Sequence, residues 1–590
     1  MSVEQPGQGA TRSVGIVHAA VLTALVLLVS LVAIVTRAPA PPTIAEFAPQ
    51  AVKQIQRAPD EQSSQFGNGG NGQCIPGQPC TGSPSSAPGA PSPTAAPTDS
   101  GGKVITKDRT YACFGNPPRQ IKDPQSPPCV PYWEGDNGGA TYKGVTRDTI
   151  TVAYPTTVGA SAFENALIAF FNRRFAFYGR QLVLKPLVPA GALFGAQNPS
   201  SMYSDAVKVD QELNAFASTA YPTYTANGSS ATYYDELARR GIISVTSEDD
   251  FRTEKDNYSA KGLEGYQWSF GPSIDELGRN LAEWTCKSLV GKPPVHAGAP
   301  FNPAAPLTQP ANRKFGVVVQ RTFQKAVDAD LMLQRLKACG VAPTIVYADA
   351  EQQTDAAAMT SVVSKLAQAN VSTGICVCFT YLFNAILTQA QQQNYFPEWL
   401  LTGQQPVTAD GNAGASGAYA KTGSVSHILG INGQNKYMPI PDQPWFWAVR
   451  DTDPHATPSQ YSTGSISGTN FYQLVYQGLL LLASGIQLAG PNLTPETFKR
   501  GLMNAQFPNP KAGAAPYYQA TVGFDETSHT MIEDYGLVWF STTSTSPDTG
   551  NPGTRCYYNR GQRWGLDRWV ATPPEEFYTG SDPPPPKTCT

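Results

Sequence analysis

Residues Ser218 to Ser230 read STAYPTYTANGSS; eight of the thirteen carry a hydroxyl, and the stretch runs directly into a helical pattern from Ala231. A helix N-terminus leaves backbone N–H groups unsatisfied and is electrically positive, so hydroxyls placed there suit a carboxylate or an amide. Ser229 and Ser230 are the leading candidates for that contact, and capping of the helix by Ser230 is the alternative use. Tyr221 and Tyr224 in the same loop offer apolar walls with a polar tip. Thr156, Thr157 and Ser247 end two other apolar runs and present further hydroxyls. In the C-terminal half, Phe323 and Tyr381 follow apolar runs in the same way, with core packing as the alternative. Gln404 and Gln405 follow Leu400-Leu401 and supply neutral amides. These groups together fit a small polar or amphipathic solute.

No reaction centre accompanies them. Gly464-Ser465-Ile466-Ser467-Gly468 resembles a nucleophile elbow, but Ile466 stands where serine is required. Walker A, HExxH and EF-hand patterns do not occur, and Asp249-Asp250 reads as solvated loop charge. A GxGxxG pattern at Gly67, Gly69 and Gly72 has no strand before it and no helix after it, which removes the dinucleotide reading. The five histidines (18, 296, 427, 455 and 529) are scattered and no CxxC pair joins them, so no metal site is expected. The expectation is a binding protein that is not an enzyme and needs no cofactor.

Lys and Arg number 42 against 45 Asp and Glu, and only 15% of the 590 residues are charged, so no basic surface for nucleic acid is expected. Val14 to Thr36 is an uncharged run of twenty-three residues between Arg12 and Arg37. A bilayer span needs about 20 apolar residues and a signal-peptide core about 7 to 15, which favours an uncleaved anchor. Ala38-Pro39-Ala40 leaves a cleaved signal peptide as the alternative, with Pro41 and Pro42 opposing cleavage. From Asn71 to Ser100, sixteen of thirty residues are Gly, Pro or Ser, a composition that tethers rather than folds. The chain thus divides into a short cytoplasmic N-terminus (1–13), an anchor (14–36), a linker (37–102), a Cys- and Pro-rich collar (103–143), a folded region (144–570) and a tail (571–590).

Ten cysteines in an exported chain predict disulfides. Spacing favours Cys74 with Cys80, Cys113 with Cys129, and Cys556 with Cys589; Cys286 and Cys339 end two predicted helices and form a further candidate pair. Cys376 and Cys378 share one face of an apolar strand and read as buried small residues.

From Gly144 onward apolar runs alternate with helix-period stretches, the pattern of βα units around parallel sheets. Thr149 to Ala153 reads as a strand, and Phe163, Ala166, Leu167, Phe170 and Phe171 fall on one helix face, with Gly179 as the stop. Gln181 to Leu184 is the next strand. A helix from Val207 to Phe216, a loop opening at Ala217, a helix to Arg240 and a strand from Ile242 to Val245 complete one lobe. A helix from Ile274 to Leu289 and a Pro-rich stretch from Lys292 to Pro310 lead to a second series. Its strands are Phe315 to Val319, Thr344 to Tyr347 and Ile375 to Phe379; its helices are Gln324 to Ala338, Ala356 to Ala369 and Leu382 to Gln393. Phe471 to Leu488 and Thr494 to Met503 are later helices that return to the first lobe. Lobe one is placed at about 144–290 plus part of 470–570, and lobe two at about 311–465.

Four stretches resemble the type I periplasmic binding proteins of the branched-chain amino acid and amide class. They are Gly144-Val145-Thr146 with Asp148-Thr149-Ile150, Phe171-Asn172 with Gly179-Arg180-Gln181-Leu182, Lys314-Phe315-Gly316-Val317, and Leu493-Thr494-Pro495-Glu496 with Gly501-Leu502. The resemblance implies two Rossmann-like α/β lobes with hinge crossovers, a solute held in the cleft, and docking to an ABC transporter permease. It places Ser229 and Ser230 where the family uses hydroxyls, and Phe323 and Tyr381 where the family sets aromatic groups over the ligand. Near Gln404 the family generally has an acid for the ligand's ammonium; this sequence departs, leaving Asp349 or Glu351 as substitutes. The resemblance therefore implies an extracytoplasmic solute-binding protein for an amino-acid-like, amide or carboxylate ligand, with a sensing or cell-envelope ectodomain of the same fold as the alternative.

The anchor and tether generate a topology prediction: everything from Arg37 onward lies outside the cytoplasm of a single-pass membrane protein. Protease added to intact cells is expected to digest the folded region, and full protection would overturn the topology.

Overall fold

Six of the seven residues in Thr149–Pro155 are buried, the condition for a strand in a parallel sheet covered by helices on both faces. The computed structural model describes residues 103–105, 110–156, 161–190, 199–219, 231–246, 254, 264–298, 301–304, 310–321, 329–349, 354–461, 470–509, 519–558, 561–571 and 589. The first sheet uses β1 (Thr149–Pro155), β2 (Gln181–Leu187), β3 (Ala217–Ser218), β4 (Ile243–Thr246) and β5 (Gln267–Ser269) in the order β2-β1-β3-β4-β5, all parallel. Between them run α1 (Ala162–Arg174), α2 (Pro199–Gln211) and α3 (Ala231–Arg239).

The chain then crosses through α4 (Ile274–Trp284) to a second sheet. There β6 (Phe315–Gln320), β7 (Thr344–Ala348), β8 (Thr373–Val377), β9 (Glu398–Leu401) and β10 (Ile428–Asn432) repeat the parallel order as β7-β6-β8-β9-β10. Helices α5 (Ala329–Ala338), α6 (Ala356–Gln368) and α7 (Thr380–Gln392) connect them. Three further helices, α8 (Pro444–Thr452), α9 (Asn470–Ala489) and α10 (Pro495–Asn504), pack into the core of the first sheet. Finally β11 (Asp534–Thr545), β12 (Pro552–Tyr557) and β13 (Arg563–Gly565) extend the second sheet antiparallel from β10. Two lobes of one strand order result.

Local chemistry explains the elements. Ser161 caps α1 through the Phe163 N–H, and the Glu164 carboxylate accepts from the Ser161 N–H at 2.8 Å, a reciprocal capping box. Thr494 caps α10 before Pro495, whose missing N–H is no loss at that position. A Cβ on Gly485 would collide with the Phe498 ring, so glycine lets α9 and α10 touch. Asn172 and Arg180 are structural: the Asn172 amide bonds both Leu182 N and O, while the buried Arg180 guanidinium donates to the carbonyls of Thr146, Pro491, Asn137 and Gly139. Arg180 thereby fastens the collar to the first lobe.

The structure corrects several sequence expectations. The helix expected from Val207 to Phe216 is α2, which begins at Pro199 and ends at Gln211. Ala217 does not open a loop but starts β3, too short at two residues to show any periodicity. α1 stops at Arg174, and Gly179, at φ 82°, instead forms the turn into β2. The pairs Cys113–Cys129, Cys286–Cys339 and Cys556–Cys589 are bonded, with Cα separations of 5.7, 5.8 and 4.8 Å. Cys376 and Cys378 are buried as expected but bonded to each other, because residues two apart on a strand project to the same side. Cys74, Cys80 and the Val14 to Thr36 anchor lie outside the described residues. Among the described residues no helix is long and apolar enough to cross a membrane.

One buried ion pair secures the entry to β6. Arg313 and Glu398 bond with both side chains fully buried, and Glu398 also accepts from Thr373 Oγ1 at 2.7 Å and His296 N at 3.2 Å. Removing one partner leaves an uncompensated buried charge, so Glu398→Gln is expected to cost about 3–5 kcal/mol. Urea unfolding is the measurement, read as a lower midpoint with an unchanged slope.

Candidate functional site

Helices leave β1 and β3 toward opposite faces of the first sheet, α1 into one core and α3 into the other. The second sheet behaves identically: β6 leads to α5 on one face and β8 to α7 on the other. Such a reversal opens a crevice outside the carboxyl ends of the strands, where ligands bind in doubly wound sheets. On the first lobe, Thr157, Ser229, Ser230, Tyr224 and Ser247 lie outside the described residues, as do Tyr221 and, on the second lobe, Phe323 and Glu351.

Second-lobe groups at these strand ends are described. Gln320 Oε1 accepts the Phe379 N–H at 2.9 Å and ties the end of β6 to the start of α7. No side chain caps α7. Tyr381 in its first turn is 53% exposed, with its ring 5.5 Å from that of Phe379, so it is a surface wall rather than core. Gln404 is fully buried, and among the described residues neither its Oε1 nor its Nε2 has a hydrogen-bond partner. Thr402 Oγ1, also buried, lacks one as well. Arg321, the first residue past β6, holds its guanidinium 4.8 Å over the Tyr347 ring and makes no ion pair among the described residues.

Three chain segments cross between the lobes: 270–273, 433–439 and 531–533. A small, partly open cavity lies where they meet. Phe270, Gly271 and Pro272 come from the first crossing, Gly433 and Gln434 from the second, and Ile532 from the third; Gly403 and, on α9, Gln473, Leu474 and Gln477 complete it. Gln477 is 7% exposed and forms no hydrogen bond among the described residues; Gln434 Nε2 also has no partner. Sequence reasoning missed these glutamines. The available signal was Gln473 and Gln477, four apart and therefore on one face of a largely apolar helix.

The crossings are heavily bonded around this cavity. Arg555, on β12, donates to Gln434 Oε1 at 2.9 Å and Asn435 O at 2.7 Å, and Arg563, on β13, donates to Gly433 O and Gln434 O. Glu276, in the first turn of α4, accepts from Ser273 N at 2.9 Å and from Thr530 Oγ1 at 2.7 Å, joining the first crossing to the approach of the third. Burial and then the neighbouring Glu254 carboxylate push Glu276 up to about 8, against the opposing Thr530 and Ser273 bonds. His529 is pushed down to about 4 by burial, so its 3.3 Å contact with Glu254 is a hydrogen bond of a neutral ring near pH 7.

No protein-family model matches the sequence, and no curated protein matches it. Solved structures do resemble the chain. A solute-binding protein of an ABC transporter from R. palustris, in complex with 4-hydroxybenzoate, aligns at 9% identity over 72% of this chain and 99% of its own, with a TM-score of 0.45. An ABC transporter substrate-binding protein from Desulfitobacterium hafniense in complex with Leu aligns at 14% identity over 70% and 99%, with a TM-score of 0.42. A branched-chain amino acid ABC transporter protein from Thermus thermophilus with bound valine aligns at 12% identity over 72% and 96%, with a TM-score of 0.44.

A glutamate whose folded pKa is raised keeps a proton that the unfolded chain releases. Its contribution is present in full below the unfolded value of 4.5 and is lost as pH rises through about 8. Glu276→Gln removes that titration and keeps the shape. Melting temperatures measured from about pH 5 to about pH 9 are expected to fall more steeply in the parent than in Glu276→Gln. Parallel curves would show that Glu276 is already ionised in the fold.

Proposed function

We propose that the chain is an extracytoplasmic solute-binding protein that captures a small amino-acid-like, amide or carboxylate ligand between its lobes and presents it to an ABC permease. The observation that supports the reading best is the set of glutamine amides, Gln477, Gln473 and Gln434, around a cavity where the three crossings meet. Gln434 Nε2 is buried without a partner among the described residues, and such a group costs about 1–3 kcal/mol, a cost that a bound solute or water removes. Closure about the crossings brings the two crevices face to face, so that a solute touches both lobes and the hinge at once. Tyr381 and Gln404 serve on the second lobe together with Phe323, and Ser229, Ser230, Thr157, Tyr224 and Ser247 on the first. The apolar run Val14 to Thr36 serves as the membrane anchor, and the linker gives the folded region reach.

A solute that binds only the native state stabilises it by about 2.7 kcal/mol at a hundredfold excess over Kd. A thermal-shift screen of amino acids, amides and aromatic acids is expected to produce such a hit. Gln477→Ala and Tyr381→Ala should each weaken the hit about tenfold or more in calorimetric titration, while the unliganded proteins melt near the parent temperature. Unchanged affinity in both variants would move the site away from the crevice. Chemical conversion of the hit would replace binding with catalysis.

A further inference from the structure

A second small cavity adjoins the hinge cavity, and Gln473 and Gln477 line both. Its far wall is the collar. The Cys113–Cys129 disulfide closes the loop that carries Asp123 and Gln125, and both residues line the second cavity. The loop is bonded into the hinge rather than attached at its edge. Gln125 Nε2 donates to Asn435 Oδ1 at 3.0 Å, Asn435 Nδ2 donates back to Gln125 Oε1 at 2.8 Å, and Asp123 accepts from the Tyr476 hydroxyl at 2.9 Å. Asn435 belongs to the second crossing and Tyr476 to α9. The collar therefore forms part of the interior surface that the hinge encloses.

Most polar atoms of this wall are occupied by one another. Among the groups facing the cavity are amides: Gln473 and Gln477, whose side chains form no hydrogen bond among the described residues, and Gln519, whose buried Oε1 has no partner among them. An amide both donates and accepts but neutralises no charge. We propose that the collar is a wall of the solute site, and that the part of the solute reaching it is a neutral group with both donors and acceptors, a carboxamide or polyol end. The surroundings agree. Burial pushes the Asp123 carboxyl up, toward its neutral form, and lowers the Lys436 ammonium from its ordinary value. A charged solute group would meet the same burial penalty.

The inference rests on the proposed solute-binding role, and its test needs no identified ligand. Gln519→Cys and Gln473→Cys each place a thiol on the cavity, and Val188→Cys, at a position 63% exposed, supplies a solvent reference. Each full-length variant is alkylated with iodoacetamide or with iodoacetate, which differ in one amide against one carboxylate. Peptide mapping then reads labelling at the engineered position alone, and circular dichroism confirms the fold. The expected result is an iodoacetamide-to-iodoacetate rate ratio at Gln519→Cys and Gln473→Cys at least about tenfold above that at Val188→Cys. A ratio equal to the reference overturns neutral selectivity. No labelling by either reagent at both positions overturns access of solutes to the collar. If the ratio is high but no solute binds in the screen, only the solute-binding role fails; if a solute binds while the ratio matches the reference, only the collar inference fails.

Discussion

A parallel sheet covered by helices on both faces leaves solvent only at its strand ends. Here that constraint acts twice, because β2-β1-β3-β4-β5 and β7-β6-β8-β9-β10 repeat one strand order. Each sheet reverses the direction of its helices near the middle, and each reversal opens a crevice at the carboxyl ends. The strands contribute apolar packing, as the fully buried β6 and β8 illustrate. Polar work falls to the strand ends and the residues just past them, among them Gln320, Arg321, Phe379 to Tyr381 and Thr402 to Gln404.

Joining the two sheets creates the second physical problem. Segments that cross between lobes are buried without belonging to a ladder, and their backbone groups must still be bonded. Two arginines on the added antiparallel strands answer it: Arg555 and Arg563 donate to carbonyls of residues 433–435, so β11 to β13 act as a clamp as well as a sheet edge. Glu276 does the corresponding work between the first crossing and Thr530. Against this well-bonded frame the Gln404 amide and the Gln434 Nε2 stand out by contrast, since among the described residues they are buried without a partner.

The collar changes meaning when its bonds are traced. Its composition, rich in Cys and Pro, suggests an appendage. In the fold, Ile121 enters the core of the first lobe, and Gln125 exchanges two hydrogen bonds with Asn435 across 310 residues of sequence. A disulfide-closed loop without regular structure can follow an irregular surface that a helix cannot, which suits it to lining the back of a hinge.

Periodicity carried much of this protein in its sequence. The amphipathic face at Phe163 to Phe171, the apolar run from Phe315, the cap at Thr494 and the bonded pairs Cys113–Cys129 and Cys556–Cys589 are local features, and local features are written in consecutive residues. So was the alternation of strand and helix that predicts two α/β lobes. The misses share a cause. β3 is two residues long, β11 is defined by its antiparallel partner β10 across a hundred residues, and the Cys376–Cys378 bond depends on how two side chains meet on one sheet face. Among the proposed contacts, Tyr381 and Gln404 are candidates in the sequence because they follow apolar runs, whereas Gln434, Gln473 and Gln477 have no such mark. A glutamine in a sequence is equally an exposed surface residue or a buried one. Only the convergence of the crossings brought these three to one cavity, because burial is a property of the whole packed chain and not of any stretch of it.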